Sequence, residues 1–349
     1  MEIDSIDIFC QVIDNYGDVG VAYRLAREFK RVYPNKKLRF VINQIEELNL
    51  IRKSEDIEII LYKDISKIEN SADLIESFGC EIPKEYMDKA LKNSKLIINL
   101  EYFSAEKWVD DFHLQESFLG GNLKKYFFIP GLSEESGGIL LDNEFLERKK
   151  KVEANKEYYL EKFGIKEKYD LIGSVFSYEK NFDSLIEELK KLDKKVILLI
   201  LSEKTQKNFI KYFDNGNNYD KIKFVKLPFF TYDKYEELLA LCDFNLVRGE
   251  DSFVRALLLG KPFLWHIYPQ DENTHIKKLE SFLEKYCSNN KELKQTFINY
   301  NINKDNFSYF FKNFKEIEKY NKNYANYLIK NCNLMEKLIN FIENIGGKN

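Results

Sequence analysis

Two short stretches of the chain gather the residue types that do chemistry. Asp14-Asn15-Tyr16-Gly17-Asp18-Val19-Gly20 puts two carboxylates and two glycines at the end of an apolar run over residues 6 to 13. The turn lacks the three-glycine dinucleotide fingerprint, which argues against a hydride-transferring enzyme. Carboxylates at that place repel a diphosphate but accept hydrogen bonds from a nucleophile or a cationic substrate, which suits acid/base work on an acceptor. The plainer alternative is that Asp14 caps a turn, Asp18 caps the following helix, and the glycines serve the backbone. The second stretch, Arg248-Gly249-Glu250-Asp251-Ser252-Phe253-Val254-Arg255-Ala256, follows the apolar run 244 to 247 and reads as strand, glycine turn, helix. Amides at such a helix start, aided by the helix dipole, hold a phosphate. Glu250 and Asp251 can then face a sugar or base, with Arg248 and Arg255 as candidate positive charge. Here the plainer alternative is a helix cap by Asp251 or Ser252.

Aromatic residues cluster where further strands end. Phe176 and Tyr178 follow one run, Phe229, Phe230, Tyr232 and Tyr235 another, and Tyr268-Pro269-Gln270-Asp271-Glu272 a third. Each could be core, yet rings displayed together at strand ends suit stacking on a base. His113, His266 and His275 have no ligand-like spacing and no Asp-x-Asp pair is present, so metal-independent transfer is expected. No Gly-x-Ser-x-Gly elbow occurs and Cys10 falls inside the first strand candidate, against a serine or cysteine hydrolase. The five cysteines are scattered without C-x-x-C spacing and read as reduced, buried thiols.

These loops need strands to display them. Strand candidates at 6–13, 38–42, 57–61, 96–100 and 126–129 alternate with helical or irregular segments, including a helix over 19–33. After a charged helical stretch at 143–168, the expected crossing between domains, the pattern restarts. Strands are expected at 171–176, 195–201, 222–227, 244–247 and 262–265, with helices at 183–192, 203–213, 233–241 and 252–259. Alternation of this kind predicts parallel sheets with a ligand crevice at the carboxyl ends of the strands. At 349 residues the chain exceeds one core. The expectation is an α/β protein of two Rossmann-like domains facing across a cleft, 1–150 on the acceptor side and 151–320 on the nucleotide side. A helical tail, 321–349, could pack back on the first domain.

Composition limits the partners. Lys+Arg of 54 against Asp+Glu of 57 gives a formal charge of -3, which removes the electrostatic case for nucleic-acid binding. The longest strongly apolar run, 196–201, is far short of the ~20 residues of a membrane helix. Glu2, Asp4 and Asp7 make the start acidic where a secretory signal is basic, so a cytoplasmic protein is expected.

Taken together, DIFCQVIDNYGDVGVAYRL (7–25), Pro130-Gly131 with Gly137-Gly138, Phe176-Ser177-Tyr178-Glu179, Leu227-Pro228-Phe229, ALCDFNLVRGEDSFVRA (240–256) and GKPFLWHIYPQDE (260–272) resemble the EarP family of bacterial protein-arginine rhamnosyltransferases. The pieces lie in the family's order over most of the chain. The resemblance implies a GT-B fold, a dTDP-β-L-rhamnose co-substrate, no cofactor, inversion at the anomeric carbon, and an arginine of translation elongation factor P as acceptor. The family's essential acids match Asp14, Asp18 and Glu250, with Asp18 as general base, Asp14 orienting the guanidinium and Glu250 organising the donor. Its donor-contacting positions match Phe176, Tyr178, Phe229, Tyr235, Arg248, Asp251, Ser252 and Tyr268, and Asn15, Tyr16, Gly17 and Gln270 are expected to join them. Tyr232 stands where the family usually has glutamine, Tyr23 replaces a customary tryptophan and Lys261 an arginine. Tyr232 keeps a different GT-B nucleotide-sugar transferase or epimerase in play, and a non-catalytic nucleotide-binding partner of the translation machinery is the third reading.

Overall fold

The computed structural model describes residues 5–13, 16–52, 57–119, 122–214, 219, 221–270, 272 and 274–345. The chain divides into two compact units, Met1–Asn143 with Leu328–Asn349, and Glu144–Tyr327. The crossing falls within the helix Asn143–Ala154, and the return within the helix Phe314–Asn331.

The first unit is built on seven strands: β1 (Ser5–Cys10), β2 (Lys37–Ile42), β3 (Glu58–Leu61), β4 (Asp73–Ser77), β5 (Leu96–Leu100), β6 (Glu116–Ser117) and β7 (Lys124–Phe128). They lie in the order β3-β2-β1-β4-β5-β7-β6, parallel except that β6 runs antiparallel to β7. Strands β1, β2 and β5 are mostly apolar and buried on both faces, as a parallel sheet covered by helices requires. A buried pair ties the first two together: Arg39 Nε donates to Asp7 Oδ1 at 2.5 Å and Nη2 to Oδ2 at 2.6 Å, with Tyr86 donating to the same carboxylate. Strand β4, the central strand of this sheet beside β1, is absent from the sequence expectations. Its sequence Asp73-Leu-Ile-Glu-Ser77 carries acids that other strands satisfy: Asp73 accepts from the Lys95 and Leu96 amides, and buried Glu76 pairs with Lys125 of β7 at 2.7 Å.

The second unit has five parallel strands, β8 (Leu171–Val175), β9 (Val196–Ile200), β10 (Ile222–Lys226), β11 (Phe244–Arg248) and β12 (Phe263–His266), in the order β10-β9-β8-β11-β12. All five were expected, within a residue or two. The helix expected at 203–213 is instead two short ones, Glu203–Lys207 and Ile210–Asp214. Lys261 Nζ donates to the carbonyls of Ala240 and Cys242, closing the end of helix Tyr232–Leu241. Buried Lys180 holds the segment after β8 to Tyr300 O at 2.6 Å and Asp305 at 2.8 Å.

In both sheets the order reverses about the first strand, so adjacent chain segments leave β1 and β4, or β8 and β11, toward opposite sides. Such switch points are where open α/β sheets bind ligands. The tail helix Leu334–Ile345 belongs to the first unit, where Lys337 Nζ bonds the carbonyls of Ser133, Glu134 and Ser136 and Tyr33 bonds Glu343 at 2.8 Å. Gly138, at φ +78°, permits this join, since a Cβ there would run into the Cys332 carbonyl. Among the described residues no helix is long and apolar enough to cross a membrane. The five cysteines are free and buried.

Candidate functional site

The switch point of the first sheet carries Asp18. The helix after β1 spans Tyr16–Val32, three residues earlier than expected, so Asp18 lies in its first turn and is not its cap. Asp14 and Asn15 lie outside the described residues, as does the Tyr16 side chain. Asp18 is 5% exposed; its Oδ1 accepts from the Tyr102 hydroxyl at 3.0 Å and its Oδ2 from the Ile13 amide at 3.4 Å. The loop that leads to it is pinned by Asn43, whose Oδ1 accepts from the Val12 amide at 2.9 Å. The helix itself is anchored by the buried pair of Arg24 and Asp142 at 2.9 Å. Gly17 is exposed and a Cβ on it would meet nothing within 4 Å. Burial pushes the Cys10 thiol up, with Cys80 and Asp18 adding to it, so this sulfur beside the loop stays protonated.

Tyr102, Asn43 and Phe78 escaped the sequence reading. Tyr102 follows β5 and stacks on Phe78, which follows β4, with ring centroids 4.5 Å apart and planes at 18°. A tyrosine two residues past a strand end was the available signal. Without β4, which lies between β1 and β5, nothing in the sequence indicated that this strand end comes within reach of the loop after β1.

The switch point of the second sheet carries the other motif. Arg248 ends β11, Gly249 takes φ +67°, and the helix Glu250–Leu259 follows with Gly249 as its N-cap. Neither Asp251 nor Ser252 is therefore the cap, and Gly249 offers no side chain to satisfy the first-turn amides. Asp251 faces Arg255 one turn on, at 3.8 Å. The Arg248 guanidinium lies over the rings of Phe176 and Tyr178, 4.4 and 4.9 Å from their centroids, and Nη1 donates to Ser177 O at 3.3 Å. The expected aromatic cluster forms here, but Phe176 and Tyr178 both lie against the Arg248 guanidinium instead of standing open. Tyr178 also packs edge-on to Tyr268 and His266, and Phe176 edge-on to Tyr235. The open rings are Phe229, 65% exposed, and Tyr268, 58% exposed, with Gln270 exposed beside the latter. Tyr232 opens the helix Tyr232–Leu241, half-buried, and the buried Tyr235 phenol lies near Ser252. Glu250 is exposed.

Supporting this cluster, Ser177 Oγ and His266 Nδ1 share a 2.7 Å hydrogen bond, and Trp265 Nε1 donates to Gly249 O at 2.9 Å. Burial, with Lys180 and Arg248 nearby, brings the His266 imidazole down to about 3, so it is neutral. A cavity of about 290 Å³ opens at the other end of this sheet, but its Glu167 is matched by Lys195 at 2.7 Å and Lys223 at 3.1 Å and it is remote from the motif. Among the described residues no three of His, Cys, Asp and Glu group as a metal site would.

Known proteins share both sequence and fold with the chain. It is similar to the protein-arginine rhamnosyltransferases of Pseudomonas aeruginosa, 34% identical over 81% of the chain and 82% of the relative, and of Shewanella oneidensis, 35% identical over 81% of each. The solved structure that explains EarP-mediated arginine glycosylation of translation elongation factor EF-P matches 97% of the chain and 99% of its own with a TM-score of 0.65 at 22% identity. Arabidopsis thaliana UGT89C1 complexed with UDP matches 98% and 99% with a TM-score of 0.54 at 9% identity. At those identities the likeness is one of fold, the GT-B glycosyltransferase architecture, in which each α/β unit has its own parallel sheet. The family model described as Elongation-Factor P (EF-P) rhamnosyltransferase EarP matches residues 6–343, and the chain belongs to that family of protein-arginine rhamnosyltransferases.

Proposed function

We propose that this enzyme moves L-rhamnose from dTDP-β-L-rhamnose to one arginine of translation elongation factor P, inverting the anomeric carbon, in the cytoplasm. The observation that carries the reading is the buried Asp18 carboxylate held at the switch point of the first sheet by Tyr102 and Ile13. A guanidinium has a pKa above ~12 and a delocalised lone pair, so the chemical problem is to make one nitrogen nucleophilic. Asp18 acts as general base, taking the proton as the C–N bond forms, and Asp14 orients the guanidinium by accepting from it. On the donor side, the first-turn amides of helix Glu250–Leu259 and Arg248 stabilise the departing dTDP, with no metal required. Glu250, Asp251 and Ser252 organise the sugar and diphosphate, Phe229, Tyr235 and Tyr268 the base, and Asn15, Tyr16, Gly17 and Gln270 complete the contacts. Phe176 and Tyr178 act through Arg248, whose guanidinium lies over their rings.

The test is incubation with dTDP-rhamnose and unmodified elongation factor P, with mass spectrometry for a deoxyhexose on one arginine. Transfer is expected, unchanged in EDTA, and no adduct from folded protein refutes the reading. Asp18→Asn should lower the rate by ~100-fold or more while dTDP still binds; an undiminished rate removes Asp18 from the role of base. Calorimetry with UDP beside dTDP reads out Tyr232, and tighter UDP binding would reassign the donor.

A further inference from the structure

Strand β4 turns sharply at its end: Cys80 N donates to Ser77 O at 3.2 Å, and the two residues between, Phe78 and Gly79, take φ +60° and +61°. Positive φ at both central positions calls for Gly or Asn, and a phenylalanine there is a rare occupant of the left-handed region. Its amide donates to Leu100 O at 2.6 Å, clipping the turn to the end of β5, and its ring receives that of Tyr102, two residues beyond. Tyr102 remains 43% exposed, yet its hydroxyl reaches Asp18 Oδ1 at 3.0 Å. The χ2 torsion of an aspartate is broad and roughly two-fold, so a first-turn helix position does not by itself set how the carboxylate plane is turned. A donor on a ring clamped by stacking does.

We propose that Tyr102 is a positioning residue for Asp18, and that Phe78 occupies its unfavourable turn position to hold the Tyr102 ring. The proposal rests on Asp18 acting as the base. Removing the hydroxyl takes away the 3.0 Å contact and leaves the longer one, at 3.4 Å from the Ile13 amide, which loosens the carboxylate plane, so the cost falls on the chemical step and not on binding. Steady-state kinetics on the full chain with dTDP-rhamnose and elongation factor P test this with Tyr102→Phe and Phe78→Asn, the latter keeping a residue suited to the turn while deleting the ring. The expected result for each is a loss of about 10-fold in kcat, the size of one hydrogen bond to a charged acceptor in a half-open site. KM for elongation factor P, Kd for dTDP and the thermal midpoint should stay near wild type. A kcat within 2-fold of wild type in Tyr102→Phe, where Asp18→Asn lowers the rate by ~100-fold or more, overturns the proposal alone. A loss that appears in KM or in the thermal midpoint instead of kcat also overturns it, since it marks Tyr102 as ordinary packing. Wild-type protein that transfers no sugar, or Asp18→Asn that transfers normally, brings down the assignment of the base and this proposal with it.

Discussion

Gly17→Ala separates what the helix wants from what a ligand needs. Gly17 is the second residue of helix Tyr16–Val32, is not among the glycines at positive φ, and would present a Cβ to open space. No feature of its own conformation or packing requires glycine. In a helix interior the exchange to alanine is worth about 0.8–1 kcal/mol, and in the first turn, where fewer hydrogen bonds depend on the residue, we expect about 0.5 kcal/mol of added stability. Function should move the other way. If a ligand approaches the backbone at Asn15 to Gly17, the new methyl stands in its path, and one misplaced methylene-sized group costs about 1–3 kcal/mol, or 10-fold or more in kcat/KM for the donor. Urea unfolding followed by circular dichroism reads the first effect and rhamnosylation kinetics the second. A variant less stable than wild type would refute the account of the helix start, and a more stable one with undiminished kcat/KM would remove Gly17 from the donor-contacting set.

Acid should destabilise the fold through His266. Its imidazole titrates at about 3 when buried and near 6.5 when unfolded, so the unfolded chain takes the proton first; stability is complete above pH ~6.5 and falls as pH drops toward 3. By pH 4 the loss should be about 3 kcal/mol, and His266→Gln, which keeps an acceptor for Ser177, should flatten the slope in urea titrations at a series of pH values; equal slopes would assign the acid limb to other groups. Arg248→Lys keeps the charge but loses the planar guanidinium that lies over the rings of Phe176 and Tyr178. We expect dTDP affinity to weaken about 10-fold in calorimetry, and unaltered affinity would show that the stacked guanidinium does not bear on the donor.

Much of the architecture was legible because parallel strands buried on both faces must be continuous apolar runs. Leu96–Leu100 and Val196–Ile200 announce themselves in that way. The Gly249 junction was legible for a related reason, since a strand, a glycine at positive φ and a helix start are all local events. Strand β4 was not, because Asp73 and Glu76 are tolerated in a buried strand only by partners on β5 and β7 that lie 20 or more residues away. The observed helix starts lie two or three residues before the expected ones for a smaller reason: exposed first-turn residues such as Gly17 and Glu250 leave no apolar period to read.

Residue types alone specified two α/β units, a carboxylate-bearing loop after the first strand and a helix start suited to an anion after Arg248. Only strand pairing brought β4 beside β1 and β8 beside β11, and with them Tyr102 to Asp18 and the rings of Phe176 and Tyr178 to Arg248. Periodicity along a chain records which side of each element is buried. It carries no information about which strand ends become neighbours, because that is settled by hydrogen bonding between segments far apart in sequence.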